Sequence, residues 1–98
     1  MDKRFVIERL RQHEEELKAA GIVHLHVFGS VARGEASSLS DVDLLADFDR
    51  SKRMTLVKLG SLASRLSTLL GAQVDLSSSE WMREPVRSRV LREAVLAF

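Results

Sequence analysis

The sequence lacks cysteine, which excludes disulfide bonds and thiolate chemistry for this chain of 98 residues. It also lacks an apolar run near the roughly 20 residues that span a membrane, and its N-terminus contains no apolar signal segment. The net charge of +1 provides no overall field that would attract nucleic acid or an anionic membrane. We therefore expect a cytoplasmic protein with one domain over residues 1–98, without direct nucleic-acid binding and without membrane association.

Helical and strand-like segments alternate along the chain. Asp2 is a candidate N-cap for a first helix that Gly21 ends, and Gly71 ends a second, leucine-rich helix. Apolar and β-branched runs predict strands at Ile22–Phe28, Val42–Phe48 and residues 72–77. This alternation predicts an α/β (α+β) fold with a small mixed sheet of three to four strands and about four helices.

Apolar spacing predicts which residues face the core. In the first strand, one face is expected to carry the side chains of Val23, Leu25 and Val27. The stripe of the leucine-rich helix is predicted to be Leu56, Leu59, Ala63, Leu66, Leu69 and Leu70. Pro85 suits the first position of a last helix, which is expected to close the chain at residues 87–96. The apolar side of that helix is predicted to be Val86, Val90, Leu91 and Ala94.

Three aspartates lie in or directly beside predicted strands. Asp41 and Asp43 are two residues apart, so the period of a strand directs both side chains to one face. Two adjacent carboxylates repel each other unless a cation lies between them, and Mg²⁺ prefers oxygen ligands. Asp75 lies between Val74 and Leu76, as Asp43 lies between two apolar residues, and is expected on the same open face. Three such acids can hold two metal ions, although each acid alone is also typical of a turn or a solvated strand edge.

A small-residue turn precedes these acids. Gly29 and Ser30 end the first strand, and a short helix through Arg33 is expected to follow, before a polar loop at residues 34–40. Free backbone N–H groups at such a turn can bind an anion, although most Gly-Ser pairs are simply turns. Arg33 is a candidate phosphate ligand, with an ion pair to Glu35 or to an aspartate as the alternative.

The spacing of these motifs resembles a known signature. Gly29-Ser30, ten intervening residues and Asp41-x-Asp43 resemble the signature of the DNA polymerase beta-type nucleotidyltransferase superfamily. More narrowly, the chain is similar to a minimal nucleotidyltransferase, the MNT partner of HEPN/MNT toxin–antitoxin pairs. The resemblance extends to the chain's end through Ala32-Arg33-Gly34, Val74-Asp75-Leu76 and Leu91-Arg92-Glu93-Ala94.

This resemblance implies a nucleotidyltransferase fold and a set of residue roles. Gly29 and Ser30 would hold the β- and γ-phosphates of ATP, while Asp41 and Asp43 would ligate two Mg²⁺ ions. Asp75 would bind the catalytic metal and help to activate an acceptor hydroxyl. The implied enzyme is a Mg-dependent protein adenylyltransferase, an antitoxin that transfers AMP from ATP to a HEPN ribonuclease toxin and releases pyrophosphate. Tyrosine is the favoured acceptor, and a hetero-oligomer with the toxin is expected.

Two other functions remain open from the sequence. A non-catalytic antitoxin would inhibit its toxin by complex formation alone. A small-molecule nucleotidyltransferase would modify an antibiotic, but such relatives generally carry an additional domain for the acceptor. Retention of all three acids favours catalysis, because clustered carboxylates without a role carry an electrostatic cost.

Several other residues have two interpretations. His24 and His26 form an H-x-H pair, for which a strand surface or subunit contact is favoured over metal ligation, and His13 is expected at a solvated helix position. Trp81 and Met82 are expected to close the core, or alternatively to anchor an interface. A solvated helix face is favoured over a contact with nucleotide or an acidic partner for Arg83, Arg87, Arg89 and Arg92.

Overall fold

The computed structural model describes residues 1–37 and 39–98, so Ser38 of the expected polar loop lies outside the described residues. The α-helices of this part of the chain are α1 (Lys3–Gln12), α2 (Glu14–Ala19), α3 (Gly29–Arg33), α4 (Leu56–Leu70) and α5 (Val86–Glu93). The strands are β1 (Ile22–Phe28), β2 (Val42–Phe48), β3 (Val74–Ser77) and β4 (Val95–Leu96). A 3-10 helix spans Ser79–Trp81. The predicted mixed α/β class is confirmed, and none of the described helices is long and apolar enough to cross a membrane.

The four strands form one mixed sheet in the order β3-β2-β1-β4. Strand β1 is antiparallel to both β2 and β4, whereas β2 and β3 are parallel. The parallel register aligns Asp43 with Asp75, and the antiparallel register places Phe28 opposite Asp43. The end of β1 therefore meets the beginnings of β2 and β3 at one edge of the sheet.

The hydrophobic core joins the sheet to the helices that follow and precede it. Leu25 and Val27 of β1 and Leu44 of β2 are fully buried, as alternate positions on one face of a strand should be. Against them pack the buried sides of α1 and α4, which include Val6, Leu10, Leu62, Leu66 and Leu69. Burial of such side chains contributes about 1.5–3 kcal/mol each, so this layer fixes the strands that carry the acids.

The first helix is interrupted, contrary to the sequence prediction of one helix as far as Gly21. Asp2 caps α1 as expected, with its carboxylate accepting from the Arg4 N–H at 3.0 Å. His13 has φ −113° and ψ 18°, outside the helical region, and separates α1 from α2. Its N–H donates to the Leu10 carbonyl at 3.1 Å, and its ring lies 3.5 Å from Glu16. These contacts stabilise a break where a solvated helix position was expected.

Strand β1 begins with an irregularity that changes its buried face. The pairing with β2 shifts between Ile22 and His24. Ile22 is consequently buried, whereas Val23 is 41% exposed. The expectation that Val23 shares a buried face with Leu25 and Val27 is wrong, because one extra residue in a strand reverses the side to which its neighbours point.

The buried stripe of α4 is shorter than predicted. Leu66 and Leu69 are buried as expected, but Leu56 is 86% exposed and Leu62 enters the core instead. Thr55 caps the helix by accepting from the Lys58 N–H at 3.2 Å, and the first turn beyond this cap extends past the core. Apolar spacing alone does not reveal where the sheet beneath a helix ends.

The C-terminal segment departs most from the prediction. Helix α5 ends at Glu93, and Val95–Leu96 forms β4 on the free edge of β1, where an extended segment satisfies backbone groups that a longer helix would leave unpaired. Pro85 precedes α5 instead of occupying its first position, a one-residue difference typical of helix ends. Of the predicted apolar side, Val90 is buried, whereas Val86 and Leu91 are more than 40% exposed. The third strand begins at Val74, two residues later than predicted.

Candidate active site

The site begins at the turn from β1 into α3, where Gly29 approaches an aspartate. Gly29 has φ +71°, in the left-handed region that favours glycine. A Cβ added there would overlap the carboxylate of Asp43 and lie 3.0 Å from its Cγ. No other residue type allows this backbone to pass so close to Asp43.

Asp43 and Asp75 lie side by side on neighbouring parallel strands. Their Cα atoms are register partners, so both side chains point to the same face of strands about 4.8 Å apart. Burial, then repulsion from Asp75 and from Asp41, raises the pKa of Asp43, while the Arg33 charge opposes this shift. Asp41 immediately precedes β2 and is exposed, but it is close enough to act on Asp43. The site therefore concentrates negative charge that Arg33 offsets only in part.

The carboxylate oxygens of these acids are suitable ligands for a hard divalent cation. Carboxylate oxygens are preferred ligands of Mg²⁺, and a divalent cation would relieve the repulsion that raises the pKa of Asp43. Within the described residues, no three histidine, aspartate or glutamate side chains already converge as a metal cluster. Ligation of two Mg²⁺ ions by Asp41, Asp43 and Asp75 therefore stays a prediction.

A cleft of about 610 Å³ opens beside these acids. Four of the residues predicted from the sequence line it together: Gly29, Arg33, Asp43 and Asp75. Ser30 and Asp41 do not line it, although Ser30 directly follows Gly29 and Asp41 lies two residues before Asp43. A separate groove of about 530 Å³ between α2 and α4 contains none of the predicted site residues, so the acid-lined cleft is the candidate active site.

Comparison with known proteins identifies the family. Residues 10–97 match the family model described as a nucleotidyltransferase domain. This chain belongs to that family. The protein adenylyltransferase MntA of Thermococcus cleftensis is 40% identical over 87 residues, which cover 88% of this chain and 86% of the relative.

Solved structures agree with this assignment. A candidate minimal nucleotidyltransferase superposes with a TM-score of 0.81 at 39% identity, covering 97% of this chain and 95% of the other. The complex of a tri-AMPylated Shewanella oneidensis HEPN toxin with an MNT antitoxin contains a chain that superposes with a TM-score of 0.68. That chain is 14% identical, with coverage of 98% of this chain and 71% of the other, so the likeness shows the fold alone. The predicted family and fold are confirmed.

Arg33 of this nucleotidyltransferase is held by two glutamates. Its Nε donates to Glu35 at 2.9 Å, and its Nη1 donates to the two carboxylate oxygens of Glu93 at 3.0 and 3.2 Å. The hydrogen bonds that Arg33 donates to Glu35 and then to Glu93 raise the pKa of Arg33. The ion pair with Glu35, the alternative from the sequence, is present, and a direct phosphate contact of Arg33 stays a prediction.

Glu93 is the site residue that the sequence interpretation missed. It accepts from the Gly29 N–H at 2.9 Å and lines the cleft at the end of α5. The sequence places Glu93 in an arginine-rich helix, and 64 residues separate it from Gly29. No local spacing connects the two, so only the fold reveals the contact.

Helix α5 and the segment before it supply the other wall of the cleft. Of the four arginines expected on a solvated face, Arg89 lines the cleft, beside Met82 and Val86. Trp81 is 51% exposed and stacks on Phe48 with ring centroids 5.6 Å apart, so core closure describes it only in part. This wall combines one cation with apolar surface next to the acids.

The histidine pair lies away from this chemistry. The His24 Nδ1 is 3.3 Å from the Phe98 carbonyl, and His26 pairs with Leu45 and Leu96 of the neighbouring strands. The part of the chain that the structure describes brings no third ligand to them. The interpretation of the pair as a strand surface or subunit contact stays a prediction.

Proposed function

We propose that this nucleotidyltransferase is a cytoplasmic antitoxin that transfers AMP from ATP to a hydroxyl group of a HEPN-family ribonuclease toxin. The observation that carries the proposal is the alignment of Asp43 with Asp75 directly beneath the Gly29 turn. The relative that is 40% identical bears the name protein adenylyltransferase. A HEPN toxin carrying AMP groups, bound to an MNT antitoxin of the same fold, supports the choice of acceptor.

The proposed reaction is a substitution at the α-phosphorus of ATP. The acceptor oxygen forms a bond to this phosphorus, the bond to the bridging oxygen breaks, and pyrophosphate leaves with the electron pair. The acceptor proton passes to Asp75, which lines the cleft and is exposed. Catalysis comes mostly from the positioning of the two reactants and from neutralisation of charge.

Two Mg²⁺ ions would be held by Asp41, Asp43 and Asp75. When bound, they supply positive charge to the triphosphate and to the acids, whose burial and mutual repulsion raise the pKa of Asp43. Gly29 and Ser30 would bind the β- and γ-phosphates. Arg33, kept at the edge of the cleft by its glutamates, would add one positive charge near them.

The acceptor is proposed to be a tyrosine of the toxin. Met82 and Val86 line one wall of the cleft, a surface suited to an aromatic side chain. We infer that the toxin itself would complete the acceptor site within a hetero-oligomer.

The decisive experiment incubates the purified chain with its cognate HEPN protein, Mg²⁺ and ATP labelled at the α-phosphate. We expect label on the toxin, at least 100-fold less with Asp41→Asn or Asp43→Asn, and an unchanged amount with the control Asp47→Asn on the same strand. Toxin inhibition without label would support an antitoxin that acts by complex formation alone. Label on an antibiotic without a protein acceptor would support the small-molecule enzyme.

A further inference from the structure

Glu93 occupies a junction between the C-terminal segment and the phosphate turn. It is the last residue of α5, and Val95 of β4 pairs with Val27 of β1, two residues before Gly29. The Glu93 side chain is 25% exposed, so most of its surface is shielded from water.

The Glu93 carboxylate contacts both ends of α3. Gly29 is the first residue of this helix and donates its N–H to Glu93 at 2.9 Å. Arg33 is the last residue and donates from Nη1 at 3.0 Å. One side chain thus fixes the entire segment that follows β1, and hydrogen bonds to a charged acceptor are about twice as strong as neutral ones.

The backbone on either side of Glu93 is itself held in place. Val90 and Ala97 are buried, and the Arg11 Nε donates to the Ala97 carbonyl at 2.6 Å. Movement of Glu93 away from Gly29 by a backbone shift would break the pairing of β4 with β1. The backbone that carries Glu93 is therefore fixed relative to the turn.

The geometry points to Glu93 as a positioning residue for nucleotide binding: it binds the Gly29 N–H and the Arg33 Nη1 and thereby fixes the turn, so that Ser30 and the rest of the Arg33 guanidinium can receive the phosphates. This inference rests on the proposed function, since it assigns Glu93 to the same cleft. Glu93 adds a further negative charge beside Asp43. A third acid in the lining of a cleft for a polyanion is unfavourable unless its contacts with Gly29 and Arg33 compensate.

The test compares Glu93→Ala and Glu93→Gln with wild type. Loss of the carboxylate frees both ends of α3, so we expect Glu93→Ala to raise KM for ATP and to lower kcat/KM for ATP by about 10- to 100-fold. Glu93→Gln keeps an oxygen that accepts from Gly29 but loses the ion pair with Arg33, so its effect should be intermediate. KM for the acceptor protein should not change. The matched control is Glu84→Gln, because Glu84 contacts Ser88 within its own segment and does not line the cleft.

Two further readouts separate positioning from a purely structural role. The Gly29 amide resonance in a ¹⁵N–¹H spectrum should shift in both Glu93 variants and stay fixed in Glu84→Gln. A lowered Tm with unchanged KM for ATP would overturn the inference, as would a lowered KM, which would show that Glu93 competes with the phosphates. Binding of a non-hydrolysable ATP analogue distinguishes the two proposals. If wild type transfers no AMP, the proposed function is overturned. If Glu93→Ala nevertheless binds the analogue more weakly than wild type does, the positioning role of Glu93 is upheld.

Discussion

At the scale of single residues, comparison of Gly29 with Gly34 distinguishes the effect of backbone strain from the effect of a steric clash with Asp43. Gly29 and Gly34 have nearly the same left-handed conformation, with φ +71° and +73°. A Cβ at Gly34 meets nothing within 4 Å, whereas one at Gly29 overlaps Asp43. We expect both alanine variants to lose about 1–2 kcal/mol of stability from the unfavourable φ. Only Gly29→Ala should also lose AMP transfer, and equal activity of the two variants would contradict the close approach to Asp43.

The ionised Asp43 side chain is expected to destabilise the fold in the absence of a bound cation. Burial, with repulsion from Asp75 and Asp41, raises its folded pKa above the unfolded value of about 3.9. Ionisation is therefore harder in the folded state, and this penalty is complete above the folded pKa and absent below the unfolded one. Asp43→Asn should unfold at a higher temperature than wild type at pH 7 without Mg²⁺.

The pH dependence provides the control for this prediction. The difference in Tm between Asp43→Asn and wild type should shrink as the pH falls and vanish below about pH 4, near the unfolded pKa. Asp47→Asn, on the same strand but outside the cleft, is the comparison variant. A variant less stable than wild type at pH 7 would show that the Asp43 charge stabilises the fold.

The individual site residues were predictable to different extents. Asp43 and Asp75 are each flanked by apolar residues, and this local pattern places both on the open face that the structure confirms. Glu93 is different, because its contact with Gly29 depends on the pairing of β4 with β1. A residue whose role depends on distant strand pairing has no signature in its own neighbourhood.

At the scale of elements, α4 tests which leucines hold the sheet in place. Leu66 is fully buried in the core, whereas Leu56 is 86% exposed on the first turn. We expect Leu66→Ala to lower the free energy of unfolding by about 2–5 kcal/mol. Leu56→Ala, although it removes the same atoms, should change it by less than about 0.5 kcal/mol. Denaturant titrations measure both free energies of unfolding. Similar losses in the two variants would support the longer buried stripe that the sequence predicts.

Element boundaries followed from the sequence where local chemistry determines them. Strands β1 and β2 have the predicted bounds, since a run of strand-forming residues ends in each case at polar or glycine positions. Gly71 ends α4 with φ +68°, as its position predicted. The break at His13 and the conversion of residues 95–96 into β4 were not predictable, because tertiary contacts override helix propensity there.

At the scale of the whole molecule, the cleft is assembled from five elements that meet at one edge of the sheet. Strand β1 and helix α3 bring the turn, β2 and β3 bring the acids, and α5 brings Glu93 and Arg89. The core on the opposite face of the sheet fixes these strands before any ligand binds. Since each wall comes from a different part of the chain, a ligand in the cleft connects elements that are distant in sequence and should stabilise the entire fold.

That coupling predicts a large, metal-dependent stabilisation by nucleotide. At a concentration of about 100 times Kd, a ligand that binds only the folded state adds about 2.7 kcal/mol, which corresponds to a rise in Tm of roughly 10 °C or more for a domain of this size. We expect this rise with ATP and Mg²⁺ together, measured by differential scanning calorimetry. A chelator should remove most of it, because the acids then repel the triphosphate, and Asp43→Asn should show little rise under any condition. An equal rise with ATP in the presence of a chelator would show that the cleft binds nucleotide without the predicted metal ions.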